Sequence, residues 1–342
     1  MKAIFVTQDV DPASPVLGAT VAKIRALASR VDEVVVIANA AVAGALPANC
    51  TVELFASGSQ AGRGLRYETA LGRQLRAPRA TFVLAHMCPI YAVLAAPFAR
   101  PLRVPILLWF THWRESRLLH LAERVSSAVV TVEPRSFPFV TSKLAPIGHG
   151  IDLAEFACVE RRPHPGPLRV AALGRTSPAK GLEVVVEAVA SVPDVRLTIA
   201  GPSLTSEERA HRSVLEERIA RLGASSRVVL EGPIPRDRIP AFLASVDVLV
   251  NNMKAGATDK IVYEAAATCL PVLASNPALD GFLPDELRFE RDDARSLAHR
   301  LEALVQADRA AFGRDLRARV ERDHDVDGWA ERLLEVARRH LR

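Results

Sequence analysis

The chain has 342 residues, of which 49% are apolar, enough to bury two hydrophobic cores in domains of about 150 residues each. Its 44 basic and 39 acidic residues leave a net charge of +5, and 5% of the residues are aromatic. Few aromatic residues, no zinc-finger spacing and no recognition-module signature argue against a nucleic-acid partner.

The first half of the chain alternates short apolar runs with helical patterns. The apolar runs predict strands at residues 3–7, 33–37, 51–55, 81–85, 105–110 and 128–132. The patterns between them predict helices at residues 19–29, 65–75, 91–98 and 115–125. Apolar strands separated by helices are typical of a parallel sheet covered on both faces. The pattern therefore predicts a Rossmann-like domain over residues 1–148.

The same pattern restarts after a polar, proline-bearing segment at residues 161–167. Further strands are predicted at residues 169–173, 195–200, 227–230, 246–250 and 271–274, and helices at 181–190 and 206–222. A second Rossmann-like domain is expected over residues 149–325. A strong helical pattern at 328–341 makes segment 326–342 a candidate to pack back across the domain boundary.

The cysteine spacing and the amino terminus indicate a cytoplasmic protein. Gaps of 38, 70 and 111 residues separate Cys50, Cys88, Cys158 and Cys269, which fits neither metal ligands nor a dense disulfide framework, so we expect reduced thiols. The first strand begins without a signal-peptide core. Residues 82–99 form an apolar stretch, but Pro89 and Pro97 break it, so a strand and a short helix are expected there instead of a membrane span.

Positive charge is concentrated in the first half of the chain. Residues 1–148 hold 16 basic and 9 acidic side chains (+7), whereas residues 149–342 hold 28 and 30 (−2). The basic half is expected to attract an anionic partner, such as a phosphorylated acceptor or the inner face of a membrane. Four arginines at helical spacing suit a basic amphipathic helix on a membrane, and the alternative is an ordinary surface helix. These arginines are Arg63, Arg66, Arg73 and Arg76.

Two motifs in the second half suit the two parts of a nucleoside diphosphate. Arg175 and Lys180 lie on a loop after a strand, where open α/β sheets bind ligands, and two cations there suit a diphosphate. Glu264 lies on a helix that leads into the buried strand at 272–274, and its carboxylate suits two adjacent ribose hydroxyls. The alternatives are two surface cations on a loop and one solvated helix residue.

Five short motifs, in this order, resemble the nucleotide-sugar half of glycosyltransferase family 4. They are Gly148-His149-Gly150-Ile151-Asp152 with Phe156, Gly174-Arg175 with Lys180-Gly181, Ile199-Ala200-Gly201, Glu231-Gly232, and Glu264-Ala265 with Pro271-Val272. The match covers residues 145–275. It implies the GT-B fold, with two facing Rossmann-like doubly wound parallel-sheet domains and an active site in the cleft between them. In that fold the domain over residues 1–148 is expected to bind the acceptor, and the domain over residues 149–325 is expected to bind the nucleotide sugar. The match further implies retaining transfer.

The resemblance also implies roles for individual residues. In that family the cations equivalent to Arg175 and Lys180 grip the donor diphosphate and stabilise its charge as it departs. The carboxylate equivalent to Glu264 binds the ribose, and Gly174 and Gly201 lie in donor-binding motifs.

Two further residues, both in the first half, match the family less closely. His112 follows the strand at 105–110 and corresponds to a histidine that faces the donor sugar, although a packed structural histidine is the alternative. Gly18 corresponds to the glycine of a loop near the diphosphate.

The chain departs from the family pattern at Gly256, where the family usually has a carboxylate that contacts the donor sugar. A short segment leads from this glycine into a helix, and its backbone N–H groups are expected to point at phosphate or sugar oxygens. The segment consists of Gly256, Ala257, Thr258 and Asp259. The side chain of Asp259 or Lys260 is a candidate for the missing contact. The alternative is that Asp259 caps the helix.

Two acidic patterns imitate metal sites. Asp9-Val10-Asp11 resembles the metal-binding Asp-x-Asp motif of the other large glycosyltransferase fold. Here it follows the first strand of a chain whose other motifs resemble the GT-B fold. The segment that begins at Asp323 starts like a calcium loop but has Leu334 at the twelfth position, where a bidentate glutamate is required. We therefore expect no metal and no cofactor.

Taken with the resemblance, these motifs predict a metal-independent, retaining, hexosyl-type glycosyltransferase. Its expected partners are a nucleoside-diphosphate sugar and a sugar, lipid-linked or small-molecule acceptor, in bacterial polysaccharide or glycolipid assembly. Two alternatives stay open. A sugar-nucleotide epimerase of the same fold would change the donor with no acceptor present, and a non-catalytic partner subunit would bind nucleotide without turnover.

Overall fold

The computed structural model describes residues 1–14, 17–76, 81–161, 164–256 and 258–341. The chain forms two compact units. The first unit comprises Met1–Asp152 and Asp323–Arg342, and the second comprises Leu153–Arg322. Each unit contains one parallel sheet with helices, which confirms the prediction of two Rossmann-like domains.

The strands follow the apolar runs of the sequence within a few residues. In the first unit they are β1 (Lys2–Val10), β2 (Glu33–Ala41), β3 (Cys50–Leu54), β4 (Thr81–His86), β5 (Ile106–Trp109), β6 (Ala128–Thr131) and β7 (Leu144–Pro146). In the second unit they are β8 (Leu168–Leu173), β9 (Val195–Ala200), β10 (Val228–Glu231), β11 (Val248–Asn251) and β12 (Val272–Ala274). The short strand β7 was not predicted.

The described helices begin with α1 (Ala19–Ala28), α2 (Gln60–Leu75), α3 (Pro89–Ala99) and α4 (Arg117–Val125). They continue with α5 (Leu182–Ser191), α6 (Ser206–Arg221), α7 (Ile239–Ala244), α8 (Lys260–Ala267), α9 (Ala294–Gln306), α10 (Arg309–Asp323) and α11 (Val326–His340). The sequence analysis did not predict α7, α9 and α10. Polar and charged residues interrupt the apolar pattern of α9 and α10, which bury only a few side chains each.

Both sheets reverse their strand order at one point. The first sheet has the order β3-β2-β1-β4-β5-β6-β7, so its order reverses between β1 and β4. The second has the order β10-β9-β8-β11-β12 and reverses between β8 and β11. All pairings are parallel, so the carboxyl ends of neighbouring strands meet at one edge. Ligands of open α/β sheets bind at that edge, next to such a reversal.

Helix α11 completes the first unit by packing on α1. The fully buried Trp329 of α11 meets Trp109 edge to face, with 5.6 Å between the ring centroids. The buried ammonium of Lys23 lies over both rings, 4.7 Å from the centroid of Trp109 and 5.6 Å from that of Trp329. At the surface, Arg30 pairs with Asp327 at 2.8 Å. Residues from both ends of the chain therefore share one core.

The expectation of reduced thiols is wrong for two of the four cysteines. Cys158 and Cys269 form a disulfide across a sequence separation of 111 residues, whereas Cys50 and Cys88 are free. The bond ties the first residues of the second unit to the end of α8. Arg161 supports the same connection, because its guanidinium donates to the carbonyls of Cys269 (3.0 Å) and Leu243 (2.9 Å). Sequence spacing could not show this pairing, because it depends on where the chain folds back.

Removing this disulfide is expected to destabilise the second unit. A long closed loop restricts the unfolded chain, so Cys158→Ser should lower the free energy of unfolding by about 2 kcal/mol. Urea unfolding without a reductant measures the change, with Cys50→Ser as the control. In excess dithiothreitol the difference between Cys158→Ser and the unmodified protein should disappear. Equal unfolding midpoints without a reductant would contradict the prediction.

Helix α2 uses its apolar face for the core. Tyr67 and Leu71 are buried, whereas Arg66 and Arg73 are exposed. Arg66 donates to the carbonyl of Ala56, and Arg73 pairs with Glu53 at 3.3 Å. The ordinary amphipathic packing of α2 accounts for the helical spacing, and membrane contact stays a prediction.

Candidate functional site

The loops after β8 and β11 meet at the reversal in the second sheet. Lys180 ends a single 3-10 turn, and its ammonium donates to the carbonyl of Leu173 at 3.2 Å. The same ammonium forms an ion pair with Asp259, which also accepts from the amide of Asn251 at 3.0 Å. The Lys180 side chain is 14% exposed. The largely buried ammonium of Lys180 is thereby held at the edge of the sheet where ligands of such sheets bind.

Two glycines make room for this arrangement. Gly174 has a φ of +127°, and a Cβ there would lie 2.6 Å from the ammonium of Lys180. At Gly201, with a φ of +152°, a Cβ would lie 2.0 Å from the carbonyl oxygen of Gly174. Both φ values lie in the region that favours glycine, and at Gly201 the backbone of Gly174 also leaves no room for a side chain. The loops after β8 and β9 pack directly on each other here.

Arg175 lies on the same loop as Lys180 but contacts a different helix. Its half-exposed guanidinium lies 3.1 Å from the carboxylate of buried Glu208. That carboxylate also accepts from the backbone N–H of Leu204 (2.7 Å) and Thr205 (3.2 Å), closing a capping box at the start of α6. The structure thus brings Lys180 to α8 and Arg175 to α6.

Glu264 is a buried carboxylate with two cationic partners. Lys260 lies 3.1 Å from it, one turn earlier on α8, and Arg236 forms a second ion pair with it. Burial alone would raise the pKa of Glu264, but the charges of Lys260 and Arg236 outweigh burial, so this pKa is lowered. The carboxylate is therefore ionised at neutral pH and can accept hydrogen bonds from hydroxyls.

Arg236 is a functional candidate that the sequence analysis missed. Its guanidinium also pairs with Glu155 at 3.0 Å and lies 4.9 Å from the ring centroid of Phe156. Burial would lower the pKa of Arg236, but Glu264 and Glu155 outweigh burial and raise it. The nearest sequence signal is the position of Arg236 shortly after the Glu231-Gly232 motif, but its carboxylate partners are distant in sequence.

The segment around Gly256 leads into α8. Gly256 has a φ of +114°, Thr258 is buried, and Ala257 lies outside the described residues. Asp259 is the N-cap residue of α8, but its side chain makes no capping hydrogen bond. The alternative that this carboxylate caps the helix is therefore wrong, since it binds Lys180 and Asn251 instead.

His112 and Gly18 lie in the first unit, at the carboxyl ends of β5 and β1. His112 is half-buried, its ring stacks on Trp113, and its Nδ1 accepts from the backbone N–H of Arg114 at 3.0 Å. In the neutral ring the proton is therefore on Nε2. Gly18 is the N-cap residue of α1, and its N–H donates to the carbonyl of Ser14 at 3.0 Å. Their roles stay predictions.

Two searches of the described residues bear on partners. Within the described ranges, no group of three or more His, Cys, Asp or Glu side chains could hold a metal ion. In the same part of the chain, no helix is both long and apolar enough to cross a membrane.

A third buried carboxylate, Asp247, has a structural role at the amino ends of β8 and β11. Asp247 accepts two hydrogen bonds from the guanidinium of Arg169, at 2.8 and 3.0 Å, and one from His164 at 2.9 Å. Burial would raise the pKa of Asp247, but Arg169 and His164 outweigh burial and lower it to about 2. The cluster joins the start of β8 to the start of β11.

Asp247→Asn is expected to lower the free energy of unfolding by about 2 kcal/mol, since it removes the charge of a buried carboxylate that accepts from the half-exposed guanidinium of Arg169. Because the folded pKa is depressed, the stabilisation is fully present above the ordinary pKa of 3.8 and is lost as the pH falls towards 2. Urea unfolding at pH 7, 4 and 2.5 measures this dependence. A stability gap that stays constant over this range would contradict the ionic explanation.

Comparisons with known proteins show what this chain is similar to. Residues 167–307 match the model of a family described as glycosyl transferases group 1. A D-inositol 3-phosphate glycosyltransferase of Mycolicibacterium gilvum (strain PYR-GCK) is 30% identical over 196 residues, which cover 52% of this chain. The aligned region spans 43% of that relative, less than half of its length. Arg175, Lys180 and Glu264 lie within the family match, whereas His112 and Gly18 lie outside it.

Two solved structures share the fold over the full chain. Anabaena Alr3699/HepE in complex with UDP has a TM-score of 0.78 at 18% identity, covering 99% of this chain and 100% of that one. Sucrose-phosphate synthase from Thermosynechococcus elongatus has a TM-score of 0.77 at 18% identity, covering 99% and 98%. These similarities confirm the predicted GT-B fold class.

Proposed function

Because residues 167–307 match the model of the glycosyl transferases group 1 family, we propose that this protein transfers a sugar from a nucleoside-diphosphate sugar to an acceptor hydroxyl. The observation that carries the proposal is the ammonium of Lys180, held at the reversal of the second sheet beside the start of α8. The UDP complex of the similar Anabaena protein supports a nucleotide donor.

In this proposal the second unit holds the donor. Lys180 and Arg175 bind the diphosphate, and Glu264 accepts hydrogen bonds from the ribose hydroxyls. The backbone around Gly256 and Thr258 contacts phosphate or sugar oxygens. Since Arg236 pairs with Glu264 in this structure, ribose hydroxyls would share or displace that contact.

The proposed chemistry is retaining transfer without a metal. The acceptor hydroxyl attacks the sugar carbon on the face that the diphosphate leaves, the bond from carbon to phosphate oxygen breaks, and the departing phosphate takes the hydroxyl proton. Two cations can stabilise the charge that develops on the diphosphate, and removing one such group typically costs 10²–10³ in rate. His112 would face the donor sugar, with Gly18 near the diphosphate.

The first test is nucleotide binding. Thermal unfolding of the full chain should be measured with UDP, GDP, ADP and TDP, each with and without EDTA. One nucleotide should raise the midpoint more than the others, and the gain should survive the chelator. If no nucleoside diphosphate raises the midpoint, the donor site is wrong. A rise in the midpoint that EDTA abolishes would contradict metal independence but not the donor site.

Product analysis then tests the reaction against the two alternatives. With the preferred nucleotide's sugars and no acceptor, a changed sugar nucleotide would identify an epimerase. Binding without turnover over a broad acceptor panel would favour a partner subunit, the alternative that Gly256 suggests. A glycosylated product whose anomeric configuration matches the donor supports retaining transfer.

We place this activity in bacterial polysaccharide or glycolipid assembly, in the cytoplasm at the inner face of the membrane. The net charge of +7 over residues 1–148 supports attraction to an anionic surface. The Cys158–Cys269 disulfide weighs against a reducing compartment. Alkylation of free thiols during cell lysis decides the point, because a protein recovered fully oxidised would contradict the cytoplasmic location.

A further inference from the structure

A cavity of about 240 Å³ opens at the carboxyl end of the sheet in the first unit. Its walls come from the end of β1, the residue after β3, and the first turns of α2 and α3. The strand order reverses between β1 and β4, so the cavity lies beside the position where open α/β sheets bind ligands. Gln8 lies near the carboxyl end of β1 and lines the cavity at that position.

Three aromatic residues form the floor of this cavity. Phe55, Tyr67 and Tyr91 are each at least 96% buried, and their ring centroids lie 5.6 to 6.0 Å apart. The hydroxyl of Tyr67 donates to the carbonyl of Tyr91 at 2.9 Å, which fixes the two rings relative to each other. Ile90 and Leu94 line the rim. Such a rigid apolar floor suits a ring or a short chain.

One cation on the cavity wall lacks an ionic partner. Arg63 lines the cavity, and in the part of the chain that the structure describes its guanidinium forms neither an ion pair nor a side-chain hydrogen bond. Its neighbours on α2 differ, because Arg66 binds the carbonyl of Ala56 and Arg73 binds Glu53. The described lining contains no acidic side chain. The first turns of α2 and α3 add the positive dipole end of each helix.

A buried hydroxyl also lies at this site. The hydroxyl of Tyr91 makes no hydrogen bond of good geometry to the described residues, although the Cys88 thiol lies near it. Burial raises the pKa of Tyr91 and the charge of Arg63 opposes this rise, as expected if the guanidinium lies near the ring.

We propose, on the basis of the transfer reaction proposed above, that this cavity binds the acceptor and selects an amphiphilic acid. The apolar ring or chain of the acceptor lies against Tyr67 and Tyr91, and its carboxylate or phosphate binds Arg63. The acceptor class is thus a hydroxylated molecule with one apolar part and one acidic group, instead of a neutral oligosaccharide.

Binding of simple probes to the full chain tests this inference. Phenyl phosphate, phenylacetate and octyl phosphate each combine an apolar part with an acid, whereas phenol and inorganic phosphate supply one part alone. Titration calorimetry or ligand-observed NMR should show at least one combined probe binding tenfold more tightly than either part alone. Tighter binding of phenyl phosphate or phenylacetate would indicate a soluble aromatic acceptor, and tighter binding of octyl phosphate would indicate a lipid-like one. If no combined probe exceeds its parts, the inference is wrong.

Arg63→Gln isolates the ionic contact. A hydrogen bond between charged groups is about twice as strong as a neutral one, so the affinity for the best combined probe should fall about tenfold or more. Phenol binding should not change. Arg73→Gln is the matched control, because Arg73 lies on the same helix, outside the cavity lining, and should leave all probes unaffected. Equal losses in both variants would overturn the assignment to Arg63.

Gly64→Leu isolates the apolar part. A side chain added at Gly64 meets open space, and leucine favours a helix over glycine, so the variant should fold. It should fill the cavity and abolish binding of every probe, while the thermal shift with the preferred nucleotide stays unchanged. Unchanged probe affinity would overturn the inference alone. A missing nucleotide shift in the unmodified protein would instead contradict the proposed function.

Discussion

Lys180→Ala is expected to lower turnover 10²- to 10³-fold while leaving the fold intact. The ammonium is held in place by Asp259 and the carbonyl of Leu173, so it needs no rearrangement to meet charge that develops on a leaving diphosphate. After the substitution, Asp259 keeps the amide of Asn251 as a partner. Release of the nucleoside diphosphate from the preferred donor measures turnover, and donor hydrolysis serves until an acceptor is known.

Two further variants sharpen this experiment. Lys254→Ala removes a cation from the exposed end of the adjoining loop and should keep near-normal activity. Lys180→Arg keeps the charge but changes its shape, so an intermediate loss would separate charge from position. Near-normal turnover in Lys180→Ala would remove this residue from the catalytic role, provided that circular dichroism shows a native fold.

Glu264→Ala is expected to lower affinity for the preferred nucleoside diphosphate about 100-fold. Each hydrogen bond to a charged group contributes about 1.5–3 kcal/mol, and the ionised carboxylate can accept from both ribose hydroxyls. The unmodified protein should therefore bind the nucleotide far more tightly than its 2′,3′-dideoxy analogue. In the variant this preference should disappear, while affinity for inorganic pyrophosphate stays unchanged. Titration calorimetry measures all three ligands.

Glu155→Ala is the matched control for this result. Both substitutions remove one of the two carboxylates that pair with Arg236, so both are expected to destabilise the second unit. A loss of ribose preference is expected for Glu264→Ala only. If the two variants lose this preference equally, the effect of Glu264 is structural and its proposed ribose contact is wrong.

The sequence was sufficient to predict the two sheets and the position of the loops that carry the proposed donor site. Buried parallel strands have continuous apolar sequences. The strands around Ile4 and Val170 could therefore be predicted without knowing which strands pair with them. The loop from Gly174 to Lys180 was placed correctly because the carboxyl ends of parallel strands are functional positions. Local pattern is enough wherever the physical cause is local.

Features that depend on distant partners were not predictable. Arg236 draws its significance from Glu155 and Glu264, which lie 81 and 28 residues away in the sequence. The disulfide joins residues separated by 111 positions, and the cavity floor combines residues from three segments of the first unit. Asp259 illustrates the same limit, because the sequence offered a donor contact or a helix cap for its side chain but not the ion pair with Lys180.

The discontinuous first unit has a consequence for synthesis on the ribosome. Residues 153–322 of the second unit (322 − 153 + 1 = 170 residues) emerge before α11, which carries Trp329 into the core beside Trp109. At a synthesis rate of about 5–20 residues per second, roughly 10–30 s pass between the synthesis of the amino-terminal sheet and the synthesis of Trp329. During this interval the apolar surface that α11 later covers is open to chaperones, and nascent chains arrested before residue 323 should show it by protease sensitivity.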